Sequence, residues 1–167
     1  MPAAAVEVTD CLTLKKEARM YKHILIATDG SELARRGLDQ GLKLAKPLNA
    51  KVTVLTVSEP LRREMASAAR LGGIDDPVAR YDQQIDALMK ERFEFIQARS
   101  AEHEVDVDLV HEIDDSPAEA ILRLAKIKGC DLIVMASHGR RGLSRLLLGS
   151  QTAEVTHSST VPVLVVR

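Results

Sequence analysis

The run Asp131-Leu-Ile-Val-Met-Ala-Ser-His-Gly-Arg-Arg-Gly-Leu-Ser-Arg-Leu-Leu-Leu-Gly-Ser-Gln151 decides the fold. Asp131 to Met135 is short, continuously apolar and rich in branched side chains, as a strand buried on both faces of a parallel sheet must be. Gly139 and Gly142 follow, so a loop that lets a ligand approach the main chain opens where the strand ends. Gly149-Ser150 then precedes Gln151 to His157, a segment that reads as a helix. A helix start of this kind offers free N–H groups, a hydroxyl and the positive end of the dipole, which meet the needs of a phosphate. Arg140, Arg141 and Arg145 add positive charge nearby. The same residues also admit a plainer reading, with glycines serving tight turns and arginines forming a solvated face.

Downstream, Val161-Pro-Val-Leu-Val-Val166 reads as a fifth strand, and Pro162, which cannot donate to a ladder, favours an edge. Toward the N-terminus, His23 to Thr28 is a buried strand broken by Asp29-Gly30-Ser31. Ser31 can cap a helix whose apolar face is Leu33, Ala34, Gly37, Leu38, Gly41, Leu42 and Ala45. Two glycines on that face lower helix propensity, which points to close packing of helix on sheet, and Pro47 ends the helix. Lys51 to Val57 is the second strand, so the first unit is β-α-β with a parallel pair. Residues 58–77, with Gly72-Gly73 and Asp75-Asp76-Pro77, read as a long connection, either a lid or an idle insertion. Val78 to Ala101 is a helix with Tyr81, Ile85, Leu88, Met89 and Ile96 at helical spacing; Met89, Phe93 and Phe95 suit core or interface better than a cofactor box.

Val105 to Ile113 alternates apolar residues with Asp106 and Asp108, the pattern of an edge strand with one wetter face. Asp106, Asp108, Asp114 and Asp115 lack calcium-loop spacing and read as a solvated face. Ser116-Pro-Ala-Glu119 is a capping box, Ile121, Leu122 and Ala125 face inward, and Gly129 stops the helix. Strands and helices therefore alternate through five strands, which predicts an α/β fold with a doubly wound parallel sheet and helices on both faces. Ligands on such sheets sit beyond the carboxyl ends of the strands, where the strand order switches. Asp29-Gly30, Val57-Ser58 and residues 136–150 all lie at that rim.

Composition narrows the classes. The 167 residues are 46% hydrophobic, enough for one domain with an ample core, and the net charge of −1 gives no general attraction to nucleic acid or an anionic membrane. With two tyrosines, two phenylalanines and no tryptophan, there is no stacking platform for single strands. Cys11 and Cys130 stand far apart and without zinc spacing, which suits a reduced, cytoplasmic protein. Residues 1–19 carry Asp10, Lys15, Lys16, Glu17 and Arg19 and lack a signal-peptide core, so they read as a flexible extension ahead of a domain over 20–167. No run approaches the roughly eighteen apolar residues of a membrane span.

From Met20 to Arg167 the chain resembles the universal stress protein family, on Tyr21-Lys-His-Ile-Leu-Ile-Ala-Thr-Asp-Gly-Ser31 at its start and Asp131 to Arg167 at its close. The family's ATP-binding branch carries G-x-x-G, nine residues, then G-S or G-T; here Gly139 is followed by nine residues and Gly149-Ser150. The resemblance implies strand order 3-2-1-4-5 and ATP as ligand, with Mg2+ accompanying the phosphates. Ala27, Thr28, Asp29 and Val57 would frame adenine and ribose, Asp29 accepting from a ribose hydroxyl. Met135 and Ala136 would line the nucleoside side, and Gly139, Arg140, Gly149, Ser150 and Gln151 would meet the phosphates. More plainly, Val57 and Met135 are core and Asp29 forms a turn. Ala136 departs from the pattern by standing at the motif's first glycine, where its N–H survives but positive φ would be costly. The resemblance also implies a homodimer through the fifth strand, with Val161, Val163 and Val165 at the interface. An unpaired edge so apolar would be an aggregation hazard, which independently favours pairing.

The leading expectation is thus a cytoplasmic, dimeric, ATP-binding stress or signalling protein in which nucleotide orders residues 58–77. Two alternatives stand beside it. One is an enzyme that slowly hydrolyses ATP or transfers its phosphate or adenylyl group, although the chain has no G-x-x-x-x-G-K-[ST], G-x-S-x-G or H-E-x-x-H, and its loop histidine, His138, is no clear base. The other is an interaction module with a decayed nucleotide site, suggested by Ala136 alone.

Overall fold

The computed structural model describes residues 20–139 and 148–167. Five strands, β1 (His23–Ala27), β2 (Lys51–Ser58), β3 (Val107–Ile113), β4 (Leu132–Ala136) and β5 (Val163–Val166), form one sheet in the order β3-β2-β1-β4-β5. Every pairing is parallel. The helices are α1 (Glu32–Leu48), α2 (Arg63–Leu71), α3 (Pro77–His103), α4 (Pro117–Lys128) and α5 (Ser150–Ser158). The expected doubly wound sheet is therefore present, with the wetter third strand and the proline-led fifth strand at its two edges.

The strand period sorts the core into two layers. On one face Ile24, Ile26, Val52, Val54 and Val134 pack under Leu38, Leu42 and Ala45 of α1 and Ile96 of α3. On the other, Leu25, Leu55, Ile133 and Met135 pack under Ile121, Leu124 and Ala125 of α4 and Val155 of α5. The glycines of α1 have the reason their sequence suggests: a Cβ on Gly41 would stand 2.5 Å from Cδ1 of Ile26, so the helix lies directly on the sheet. Phe93 and Phe95 pack against the first layer, and the Arg35 guanidinium lies 4.5 Å from the Phe95 ring centre.

Local chemistry sets the helix ends. Ser31 Oγ accepts from Ala34 N–H at 3.2 Å to cap α1, which runs through Pro47 to Leu48 before Asn49 takes the left-handed conformation. Ser116 Oγ accepts from Glu119 N–H at 3.3 Å, and Gly129 ends α4 at φ 66°. Glu104 closes α3 at φ 52°, so Val105 belongs to the buried turn, its N–H donating to Ser100 O at 3.1 Å, and β3 begins two residues later than its alternation suggests. Pro162, likewise, precedes β5 and gives its carbonyl to Ile133 N–H at 3.0 Å.

Beyond these shifts of element ends, one connection differs from its sequence reading. Residues 58–77 are not a plain loop, because Arg63–Leu71 is the helix α2. Its Arg, Glu, Met, Ala and Leu are strong helix formers, and Gly73 at φ 87° provides the stop. None of its residues is buried, and Leu71 is 91% exposed. A helix standing on propensity rather than on packing leaves little burial pattern to read.

The Gly41 contact generates a test. Gly41→Ala should destabilise the fold by about 1 to 3 kcal/mol through overpacking, although alanine is the better helix former. Ile26→Val removes the Cδ1 that the new methyl meets. Urea unfolding of the double variant should therefore show less destabilisation than the sum of the two singles.

Candidate functional site

The carboxyl ends of β1, β2 and β4 open into a cavity of about 580 Å³, within the range of small-molecule sites. Its floor begins at β1. Thr28 N–H donates to Leu55 O at 2.9 Å, keeping the chain on the sheet one residue past the strand. The turn that follows is tied internally, with Gly30 N–H donating to Thr28 Oγ1 at 3.2 Å and Ser31 N–H to Asp29 Oδ1 at 3.0 Å. Gly30 sits at φ 77°, which favours glycine, and its α-carbon lies against Arg92. One oxygen of Asp29 thus forms the turn, and the other faces the glycine loop: a Cβ on Gly139 would stand 2.7 Å from Oδ2. The turn role and the rim position of Asp29 coexist.

The exit of β4 forms the opposite wall. Ala136 is the last strand residue and is not among the positive-φ residues, so its methyl costs no backbone strain there. Its carbonyl accepts from Thr152 Oγ1 at 2.9 Å, while Gly149 N–H donates to Ser137 O at 2.8 Å. These two bonds seat the start of α5 directly over the end of β4. No side chain caps α5 at Gly149, and Ser150 and Gln151 of its first turn line the cavity. Gln151 Oε1 accepts from Ala118 N–H at 2.8 Å, joining α5 to α4. Ser137 Oγ and His138 Nδ1 are 3.0 Å apart, and His138 Nε2 is buried with no partner among the described residues.

Ala27, Thr28, Asp29, Val57, Met135, Ala136, Gly139, Gly149, Ser150 and Gln151 therefore line a single cavity. Arg140, with Arg141, Gly142 and Arg145, lies outside the described residues.

A further wall was not singled out by sequence. Tyr81, Ile85, Leu88 and Arg92 of α3 all face the cavity, at spacings of four, three and four residues. Their helical period was visible but reads equally as a core stripe. Only Met89 and Ile96 of that helix's large apolar residues are fully buried. The Tyr81 hydroxyl donates to Glu59 O, fastening α3 to the exit of β2. Burial, then the charges of Glu59 and Asp82, push the Tyr81 phenol above its ordinary pKa. Beside them His111 on β3 is held below its ordinary pKa, first by burial and then by Arg92, against Asp86.

Of the acidic residues near β3, Asp108 meets Lys128 at 2.9 Å and Asp114 meets Arg123 at 2.9 Å. Among the described residues no cluster of three His, Cys, Asp or Glu is arranged to hold a metal. Cys130 is buried, its thiol pushed up to about 11 by burial, and so is not an ionised nucleophile at neutral pH. No helix among the described residues is long and apolar enough to cross a membrane.

Comparison with known proteins agrees with this architecture. The universal stress protein family matches residues 20–167. Universal stress protein YxiE of Bacillus subtilis is 33% identical over 152 residues, covering 89% of this chain and 100% of YxiE. Universal stress protein MJ0577 of Methanocaldococcus jannaschii is 31% identical over 158 residues, covering 89% of this chain and 96% of MJ0577. The solved structure of MJ0577 matches with a TM-score of 0.70 at 28% identity, over 88% of this chain and 96% of that one. A universal stress protein solved in complex with cAMP shares the fold, with a TM-score of 0.62 at 24% identity over 88% of this chain and 97% of that one. By its sheet order, its strand-end Asp29, its glycine loop and this match across residues 20–167, the chain belongs to the universal stress protein family.

Proposed function

We propose that the cavity binds an adenine nucleotide, ATP by the spacing of Gly139 and Gly149-Ser150, and that the protein is a cytoplasmic, nucleotide-dependent signalling switch. The carrying observation is the meeting of unlike groups around one cavity: an acceptor carboxylate at Asp29, apolar walls at Val57 and Met135, and the uncapped start of α5. The carboxylate suits ribose hydroxyls, the apolar walls a base, and the first-turn N–H groups of a helix phosphate oxygens. His138 Nε2, buried and without a partner among the described residues, supports the same reading, since an anionic oxygen would satisfy it when it carries a proton. Mg2+ would be held chiefly by phosphate oxygens, with few protein ligands. The negative φ of Ala136 speaks against a decayed site.

The switch reading includes a homodimer through β5. Pro162 and Val166 give their carbonyls to β4, so by strand alternation the main-chain groups of Val163 and Val165 face the free edge. The side chains of Val161 and Val163 pack in the second core layer, so pairing would run through the backbone of this edge. Two apolar edges can complete each other's ladders.

Asp29→Ala should weaken ATP binding about tenfold to a hundredfold, the worth of a hydrogen bond to a charged group, and lower the melting temperature modestly through loss of the Ser31 N–H bond while leaving the fold intact. Gly139→Ala should weaken it in the same way, because the added methyl displaces the Asp29 carboxylate; in the double variant the losses should not add. Unchanged affinity by titration calorimetry in both singles would sink the assignment. Ala136→Gly, by contrast, should leave ATP affinity within about threefold, since no positive φ needs relieving; a natural chain that binds only after this change would be a decayed site. At the edge, Val165→Pro removes an outward N–H without breaking the β4 ladder and should shift sedimentation from dimer toward monomer. A wild type that sediments as a monomer at micromolar concentration would rule the dimer out.

A further inference from the structure

Most hydroxyls on the cavity wall are already committed. Thr28 Oγ1 accepts from Gly30 N–H, Thr152 donates to Ala136 O, and Tyr81 donates to Glu59 O. Ser58 is different. It is the last residue of β2, next to Val57, it lines the cavity, and it is only 8% exposed. Its Oγ lies 3.0 Å from His111 Nε2, across the β2–β3 ladder. The cavity it lines also presents the apolar side chains of Leu55, Val57, Ile85 and Leu88.

The chemistry of the pair follows from the charge state of His111. Burial disfavours its imidazolium, and Arg92 on α3 adds to that; Asp86, on the same helix, opposes them without reversing the direction. A neutral imidazole with its proton on Nδ1 presents a lone pair at Nε2 and accepts the Ser58 O–H. A serine hydroxyl used in this way has no proton left for the cavity, only lone pairs. It can accept a hydrogen bond from a ligand N–H, and it faces a ligand carbonyl with oxygen against oxygen.

We propose that His111 holds its proton on Nδ1, so that Ser58, oriented by donating to Nε2, reads the nucleobase and selects a 6-amino purine over a 6-oxo purine. This rests on the adenine-nucleotide reading above. Ser58 is the contacting residue and His111 a positioning residue that acts through it. Arg92 contributes by keeping His111 neutral.

The test is titration of the full-length protein with ATP and, separately, with ITP, whose base carries a 6-oxo group in place of the amino group. The wild type should prefer ATP. Ser58→Ala should reduce the ATP-to-ITP affinity ratio about three- to tenfold, mainly by weakening ATP. His111→Leu should reduce the ratio similarly, whereas His111→Gln, whose amide oxygen can accept the same O–H, should retain it. A merely structural histidine would lower both affinities together and leave the ratio unmoved. If the wild type binds ATP and the ratio is unchanged in Ser58→Ala or His111→Leu, base reading by this pair is wrong and the nucleotide site stands. If the wild type binds neither triphosphate, the nucleotide reading falls as well.

Discussion

The Asp131 carboxylate accepts from the backbone N–H groups of Lys22 and His23, at 2.8 and 3.0 Å, and so ties the start of β4 to the start of β1. Hydrogen bonds to an ionised acceptor are among the stronger ones, and this pair acts at the centre of the sheet. It supports a register that runs from Ile24 beside Leu132 to Ala27 beside Met135, so the two strands finish level. Beyond that level the chains part. β1 feeds α1 over one core layer, and β4 leads to α5 over the other, as right-handed crossovers to neighbours on opposite sides require. The crevice between the diverging segments is the cavity. A slip in this register would move the Asp29 turn away from the glycine loop and leave no shared site.

Close backbone approach is the second constraint, and it makes the site intolerant of volume. The Asp29 carboxylate occupies the space where a side chain at residue 139 would begin. The loop can thus lie across the carboxylate only while residue 139 has no Cβ. On the other side of the same turn, Arg92 fills the space beside Gly30. The turn is therefore packed from α3 and from the β4 exit together, which couples the position of one polar contact to two otherwise separate elements.

The same constraints divide what the sequence could reveal from what it could not. The strands were legible because both faces of β1, β2 and β4 are buried, and a short, continuously apolar, branched run suits a strand covered on both sides. Asp29, Gly139 and Gly149-Ser150 were legible because each sits where a strand stops or a helix starts, and such ends leave characteristic residues. The α3 wall was not, since Tyr81, Ile85 and Leu88 have the spacing of a core stripe whether they face a sheet or a cavity. Helix α2 was missed for the opposite reason, as it buries nothing. Ser58 and His111 lie 53 residues apart and meet only across a ladder whose register no local pattern specifies.

A net charge of −1 gives the cavity no general attraction for an anion. Attraction at long range would require a surplus of lysine and arginine, which the chain as a whole lacks. Among the described residues lining the cavity, Arg92 of α3 is a cation, and the other donors, such as the Ser150 hydroxyl and the N–H groups at the start of α5, are uncharged and local. Groups of this kind act over a hydrogen-bond length rather than a Debye length, so recognition depends on their being prepositioned. That is the structural meaning of the bonds from Gly149 to Ser137 and from Thr152 to Ala136, which fix the helix start to the strand end before any ligand arrives.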